Sequence, residues 1–495
     1  MSTPRLSNAT LAQLPGGVAR PAYDRAAVTP GIVHLGIGAF HRAHQAPVID
    51  DLLASDPSWG IVAASLRSPA TRDALAPQDG LYTLAVAGAE GTTHRVIGCV
   101  TELLVVPVDR ERLLARMADP RVRIVSLTVS EKGYCHDPAT GRLAEDHPLV
   151  RADLASPREP SSVPGLIVEA LARRRADGLA PFAVMPCDNL PANGATVRRI
   201  VARFAALRDP DLGRFVEGDV AFPATMVDRI TPATTDADRA AIAAATGLED
   251  AWPVVTEPFS QWVVEDRFPA GRPDFAAAGV TVSDKVPAYE RMKIRLLNGP
   301  HSTLAYLAVQ MGRETVAEAM HDLHLVRFLA TLMRDEIEPT LRPDGLGDLT
   351  SYRHETLKRF ANPALRHRTR QIAMDGSQKL PQRLLGSVRD RLSAGAPIDR
   401  LGLALAAWMR WVVGVDEAGA PHDLNDPLAP KLSAIAATAG RDAAALATGL
   451  LSVREIFGDD LSTDPRLEAA VVPALSSLLA RGTARTLAEW DRERE

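Results

Sequence analysis

The sequence predicts an α/β fold: a doubly wound N-terminal domain followed by a mostly α-helical C-terminal domain. Three observations carry this. Short apolar runs of strand length recur between Ile32 and Met185. A glycine turn and an amphipathic segment lie among them. From about Lys285 onward helical periodicity takes over and convincing strands disappear. At ~100–200 residues per domain, 495 residues suit two or three domains. The change of character places the boundary near residue 285, giving domains of 1–285 and 286–495.

In chain order, GIVHLGIGAFHRAHQ reads as a buried strand (Ile32 to Leu35), a turn at Gly36 and Gly38, and the start of a helix. Gly60 to Leu66, Arg123 to Val129 and Pro181 to Met185 are the next strands. Between the last two, Gly165 to Gly178 has apolar residues at helical spacing and a glycine stop. The loop Pro160 to Gly165 leads into this crossover helix. Beyond residue 285, KIRLLNGPHSTLAYLAVQ, VRFLATLMRDEIEPTL, PQRLLGSVRDRLSAG, RLGLALAAWMRWVVG and the Ala-rich stretch from Lys431 to Val453 are helical in pattern. No solenoid-period repeat, low-complexity tract or charge block occurs.

Composition narrows the partners. Apolar residues make up 46%, charged residues 24%, and the net charge is −5, so no strong field favours nucleic acid or an anionic membrane. No apolar run reaches the ~18–20 residues of a membrane span, and the N-terminus lacks the apolar core of a secretory signal. Cys99, Cys135 and Cys187 include no C-x-x-C pair, which suits a reducing compartment. A cytoplasmic protein acting on a small molecule, as a monomer or small homo-oligomer, is expected. The basic residues include only six lysines, at 132, 285, 293, 358, 379 and 431. Lysine, unlike arginine, loses its proton readily near other cations, so these few positions draw attention.

Four motifs carry chemistry. Gly36-Ile37-Gly38-Ala39-Phe40-His41 follows the first strand, where glycines let the backbone approach a pyrophosphate. Position 41 is His where a third glycine would complete the fingerprint, and a plain strand-to-helix turn uses the same residues. The second strand ends Leu66-Arg67-Ser68 without the acid that receives a ribose. Arg67 there suits a 2′-phosphate, so chemistry leaves NAD and NADP both open. Lys293-x4-Asn298-x2-His301 spans an arc of roughly 140° at ~100° per residue. A base and two donors on one side of a helix match the needs of hydride transfer from a secondary alcohol. A solvated Lys, a capping Asn and a core His make the same pattern, and Pro300 implies a kink or restart of the helix. Cys187-Asp188-Asn189 follows a strand, which places Asn189 at a ligand-binding edge or in an Asx-turn. Arg366 to Arg383 gathers basic side chains around a DGS turn, as a solvated face or an anion or polyol site. His41-x2-His44 and His321-x2-His324 lack a third ligand, so no metal is expected. G-x-S-x-G is absent, which gives an α/β-hydrolase no support.

Together, GIGAFHRAHQ, FPATMVDRITP (Phe222 to Pro232), EPFSQWVVEDRF (Glu257 to Phe268) and KIRLLNGPH resemble the polyol-specific long-chain dehydrogenases, the mannitol dehydrogenase family, over residues 17 to 480. The resemblance implies a Rossmann-type N-terminal domain, an α-helical C-terminal domain, a nicotinamide cofactor and no zinc. It implies Lys293 as general base, Asn189 and Asn298 as the oxyanion-stabilising pair, and His301 as a substrate-binding residue. Gly36, Gly38, Ala39, Phe40, Arg67 and Asp228 are the cofactor-side candidates, with Asp228 close to the reacting centre. Pro300 stands where a small residue is usual. Ser130 to Cys135, the Arg366 to Leu385 segment and Trp408 to Gly419 resemble the fructuronate reductase (D-mannonate oxidoreductase) branch. That branch implies NAD, and Lys132, Lys379 and Arg383 around a substrate carboxylate. Mannitol and other polyol dehydrogenases of the family are the alternative.

Overall fold

The computed structural model describes residues 3–137, 140–342 and 345–492. It forms two compact units, Met1–Pro287 and Ala288–Glu495.

In the first unit, β1 (Pro30–Leu35), β2 (Gly60–Ser65), β3 (Val100–Val105), β4 (Ile124–Leu127) and β5 (Ala183–Pro186) make one sheet in the order β3-β2-β1-β4-β5. Every pairing is parallel. Val33, Leu35, Val62, Ala64, Val125 and Leu127 enter one core, while Ile32, Ile61, Ala63 and Ile124 enter another. A sheet buried on both faces explains why β1, β2, β4 and β5 read as continuous apolar runs, whereas β3, an edge strand interrupted by Thr101 and Glu102, was not among the expected strands. The chain winds outward from β1 to β3 and then returns to β4 on the other side of β1. That reversal opens a crevice at the carboxyl edge between β1 and β4. The edge is flush, because Leu35 pairs with Ala64 and Leu127, and Leu127 with Pro186.

Helix α1 (Ala39–Ala43) follows β1 directly. The crossover helix α2 spans Val163–Ala176, two residues earlier than its glycines suggest. The Ser162 hydroxyl accepts from Gly165 N at 3.1 Å and Pro164 sits comfortably in the first turn. Helix α3 (Asn193–Arg208) leaves the loop after β5. Outside the main sheet, β6 (Thr225–Asp228) pairs antiparallel with β7 (Gln261–Val264). A hairpin of Tyr82–Gly88 and Gly91–Ile97 takes Val254–Thr256 as a parallel neighbour. These strands were not among the expected elements. The outer hairpin strand buries only its last two residues, so it carries no apolar run.

The second unit is helical, and its β contacts among the described residues are isolated bridges. Helix α4 (Val286–Lys293), straddling the boundary between units, runs into a π turn (Ile294–Asn298) and on into α5 (Gly299–Gln310). All of α5 is buried. Helix α6 (Asp399–Val412) packs on α5 and on α7 (Pro465–Arg481) in one apolar core. Among the described residues no helix is long and apolar enough to cross a membrane.

Candidate active site

The carboxyl edge of the first unit gathers four expected segments: the Gly36 turn, Arg67 just past β2, the Ser130 loop past β4, and Cys187–Asn189 past β5. Gly36 has φ +100°, and a Cβ there would lie 2.1 Å from the Thr128 carbonyl oxygen. The chain itself requires this glycine. Gly38 differs: a Cβ there meets nothing nearer than 3.8 Å, and its backbone is ordinary extended chain. Packing leaves its face open, which is the room a pyrophosphate needs above a strand-to-helix turn. Ala39 and Phe40 flank that opening, half-buried.

Beneath the turn, His34 Nε2 donates to Thr128 Oγ1 at 2.8 Å, and Thr128 Oγ1 donates onward to the Gly36 carbonyl at 2.7 Å. Ser126 Oγ bonds Nδ1 at 2.8 Å. Burial pushes the His34 imidazole down to about 3. His41 stacks on it, ring centroids 3.4 Å apart, and burial holds it well below the usual histidine value too. Two uncharged rings therefore brace the loop. The conspicuous VDRI and EPFSQW segments serve the same end. Arg229 donates to the Ala43 carbonyl at 2.6 Å and to the Glu257 carbonyl at 3.0 Å, which ties β6, and Asp228 at its end, to α1. Asp228 is buried; Arg67 is exposed.

Asn189 lies on an exposed loop whose base is rigid. The Asn193 amide donates to the carbonyls of Pro186, Asp188 and Thr225 and accepts from Thr225 N. The Asp188 side chain reaches across to the Ser130 loop. Its carboxylate accepts from Val129 N at 2.9 Å, Ser130 N at 3.1 Å and Tyr134 Oη at 2.6 Å. It thus clips the loop carrying exposed Lys132 to the loop carrying Asn189. Ser130 pays for this with φ 61°, ψ 164°, a conformation costing ~1–3 kcal/mol for a residue with a side chain.

In the second unit Lys293, Asn298 and His301 share one continuous helix. Pro300 does not break it. Gly299 N bonds the Ile294 carbonyl five residues back, and this wide turn absorbs the proline. An extra residue per turn retards the helical phase by about 100°, so the three side chains fall within roughly 60° instead of the 140° of a regular helix. Lys293 and His301 are 6% and 7% exposed. Asn298 Oδ1 and His301 Nε2 are buried with no hydrogen-bond partner among the described residues, as expected of groups facing a polar ligand. Burial and the nearby His367, Arg383, Arg359 and Lys379 keep His301 uncharged. A second π turn (Pro381–Leu385) lies against the first, so close that a Cβ on Gly299 would be 2.7 Å from the Arg383 carbonyl. Arg383 Nη1 donates to Ser302 Oγ at 2.9 Å and reaches the Asn298 carbonyl at 3.5 Å. Lys379 Nζ donates to the carbonyls of Ile372 and Met374.

Comparison with known proteins gives this arrangement its family. A mannitol dehydrogenase Rossmann domain model matches residues 30–277, and a mannitol dehydrogenase C-terminal domain model matches residues 285–479. The chain belongs to the mannitol dehydrogenase family. It is an oxidoreductase, a dehydrogenase acting on a secondary alcohol of a polyol or sugar acid. An uncharacterized oxidoreductase of Escherichia coli, YdfI, is 47% identical over 95% of this chain and 97% of its own. The D-mannonate oxidoreductase of E. coli is 45% identical over 95% and 98%. The mannitol 2-dehydrogenase of Pseudomonas fluorescens, solved as a ternary complex with NAD and D-mannitol, is 39% identical, covers 99% of this chain and 100% of its own, and superposes with a TM-score of 0.89.

Within this family member, sequence reasoning passed over three features. Asp188 stands inside the quoted CDN motif, yet its partners lie over fifty residues away in sequence. The π turn leaves only the Gly299-Pro300 pair as a trace. His367, quoted only as part of a basic segment, packs edge-on against His301. Among the described residues no group of three or more His, Cys, Asp or Glu side chains is placed to hold a metal ion.

Proposed function

We propose that this enzyme interconverts D-fructuronate and D-mannonate with NAD, using Lys293 as general base. The observation that carries this reading is the narrowed Lys293–Asn298–His301 array with its unpartnered buried Oδ1 and Nε2. The 45% identity to D-mannonate oxidoreductase over nearly the whole chain supports the choice of substrate. NAD suits the open Gly38 face above the Gly36 turn, with Ala39, Phe40, Arg67 and Asp228 as its further neighbours. When bound, the nicotinamide exchanges the hydride with the substrate carbon. During oxidation Lys293 Nζ takes the proton of the reacting hydroxyl, and during reduction it returns one to the new alkoxide. The Asn189 and Asn298 amides donate to the oxygen as negative charge develops there. His301, uncharged, offers a donor and an acceptor to a neighbouring hydroxyl.

A uronate differs from its ketose by one carboxylate, and recognition calls for a cation. Lys132, exposed on the clipped loop, is the first candidate, followed by Lys379 and Arg383. One charge-assisted hydrogen bond contributes roughly 1.5–3 kcal/mol, or ~10–150-fold. A second reading, a mannitol or other polyol 2-dehydrogenase, is favoured by the bonds Arg383 and Lys379 make to the protein itself. Assays of D-fructuronate and D-fructose with NADH and NADPH separate the two. Fructuronate with NADH is expected to give the higher kcat/KM, and Lys132→Gln to narrow the gap; equal kcat/KM for acid and ketose would overturn the substrate assignment. Lys293→Ala is expected to lower kcat at least ~10²-fold with NADH binding retained. Near-normal turnover in that variant would remove Lys293 from the chemistry.

A further inference from the structure

We propose that His367 is a second substrate-binding histidine, whose Nδ1 hydrogen-bonds a hydroxyl of the polyol or sugar-acid chain next to the one that His301 serves. The inference rests on the active-site reading above and adds a specificity residue to it.

The geometry is local to the second unit. The His367 ring lies 5.0 Å from the His301 ring, inclined at 64°. Phe360 stacks on His301 at 4.9 Å and 18°. His301 is thus held between an apolar plate and a second imidazole. The backbone anchors His367: its N–H donates to the Leu365 carbonyl at 2.9 Å, and its carbonyl accepts from Val316 N at 3.0 Å. Two residues on, the Thr369 hydroxyl donates to the Arg313 carbonyl at 2.7 Å. The ring is therefore positioned without a hydrogen bond at Nδ1, and that nitrogen is buried and has no partner among the described residues. His301 Nε2 and Asn298 Oδ1 share this condition.

One such atom is unremarkable in a protein interior. Two adjoining imidazoles with unpartnered buried nitrogens, one of them on the helix that carries Lys293, are costly unless something supplies partners. The charges nearby decide what that partner is. Burial and Lys379 hold His367 down to about 4, and His301 is uncharged for the reasons given above. A neutral imidazole has one N–H and one lone pair, which matches a hydroxyl that both donates and accepts. A carboxylate would seek the cations instead. Adjacent hydroxyls on one carbon chain would then meet adjacent rings.

The test uses the whole enzyme and three variants. His367→Phe keeps a ring against His301 but offers no nitrogen; His367→Asn keeps a donor and an acceptor near Nδ1. NADH titration and a melting curve show that each variant is folded. Kinetics are measured with D-mannonate, D-mannitol and monodeoxy analogues of whichever is the better substrate. His367→Phe is expected to raise KM about 3- to 10-fold, with a smaller change in kcat and a smaller penalty for one deoxy analogue. His367→Asn is expected to recover much of that discrimination. Equal penalties for every analogue in wild type and His367→Phe, or equal losses in Phe and Asn variants, would overturn the proposal and leave His367 a packing residue. Lys293→Ala, the third variant, reports on the site itself: normal turnover there rejects the active-site reading, whatever His367 does.

Discussion

Replacing Asp188 by Asn tests the clip that joins the Lys132 and Asn189 loops. One carboxylate oxygen accepts from Val129 N and Tyr134 Oη, the other from Ser130 N. An asparagine oxygen can keep the first two contacts, but its NH2 group then faces the Ser130 N–H, donor against donor. One charge-assisted bond, worth ~1.5–3 kcal/mol, is lost, and the other two weaken as the acceptor loses its charge. Discounted for the exposed position of Ser130, the sum is about 2–4 kcal/mol. Ser130, no longer held at φ 61°, recovers part of its ~1–3 kcal/mol of strain by relaxing, which offsets some of this and leaves a net loss of about 1–3 kcal/mol. At ~2–4 °C per kcal/mol for a large domain, calorimetry is expected to show Tm lower by roughly 2–12 °C. In the proposed mechanism Asn189 serves the developing oxyanion, and displacing such a group by even 1 Å costs up to ~10²-fold in rate, so kcat is expected to fall more than NADH affinity. Tyr134→Phe removes one arm of the same clip, and the double variant is expected to couple with it by at least ~0.5 kcal/mol. A D188N protein within ~0.5 kcal/mol of wild type, additive with Y134F, would refute the clip.

Two further outcomes are expected. Gly36→Ala places a Cβ 2.1 Å from a backbone oxygen at φ +100° and is expected to destabilise the fold, whereas Gly38→Ala, with nothing nearer than 3.8 Å, is expected to melt normally and bind NADH at least ~10-fold more weakly. Unchanged NADH affinity in Gly38→Ala, measured by fluorescence titration, would move the cofactor elsewhere. The buried histidines set an acid limit. His34 and His367 are depressed in the fold to about 3 and about 4 from 6.5, so below pH 6.5 the unfolded chain binds the extra protons. Stability is expected to be fully present above pH 6.5 and to fall toward pH 4, by up to ~1.4 kcal/mol per pH unit for each such histidine. Denaturant midpoints that stay flat from pH 7 to 5, in wild type and His34→Asn alike, would contradict it.

The sequence by itself determined the doubly wound sheet and the helical second half. Parallel strands buried on both faces must be apolar at every position, as Ile32 to Leu35 and Ile61 to Ala64 are, and helices must repeat at their own period. It also marked Gly36, whose turn no side chain can occupy. Gly91–Ile97 escaped because a half-solvated strand needs no such pattern, whereas its buried, apolar partner Tyr82–Gly88 was passed over although its run is legible. Of the candidate site, residue types and spacing named Lys293, Asn298 and His301 but gave them too wide an arc. Only the tertiary structure decided that Pro300 would be absorbed by a π turn, because that turn is stabilised by the packing of Gly299 against the Arg383 carbonyl. The same holds for Asp188 and His367. Their partners, Ser130, Tyr134 and His301, lie tens of residues away in the chain, and a carboxylate or an imidazole carries no local signal of which distant group it will meet.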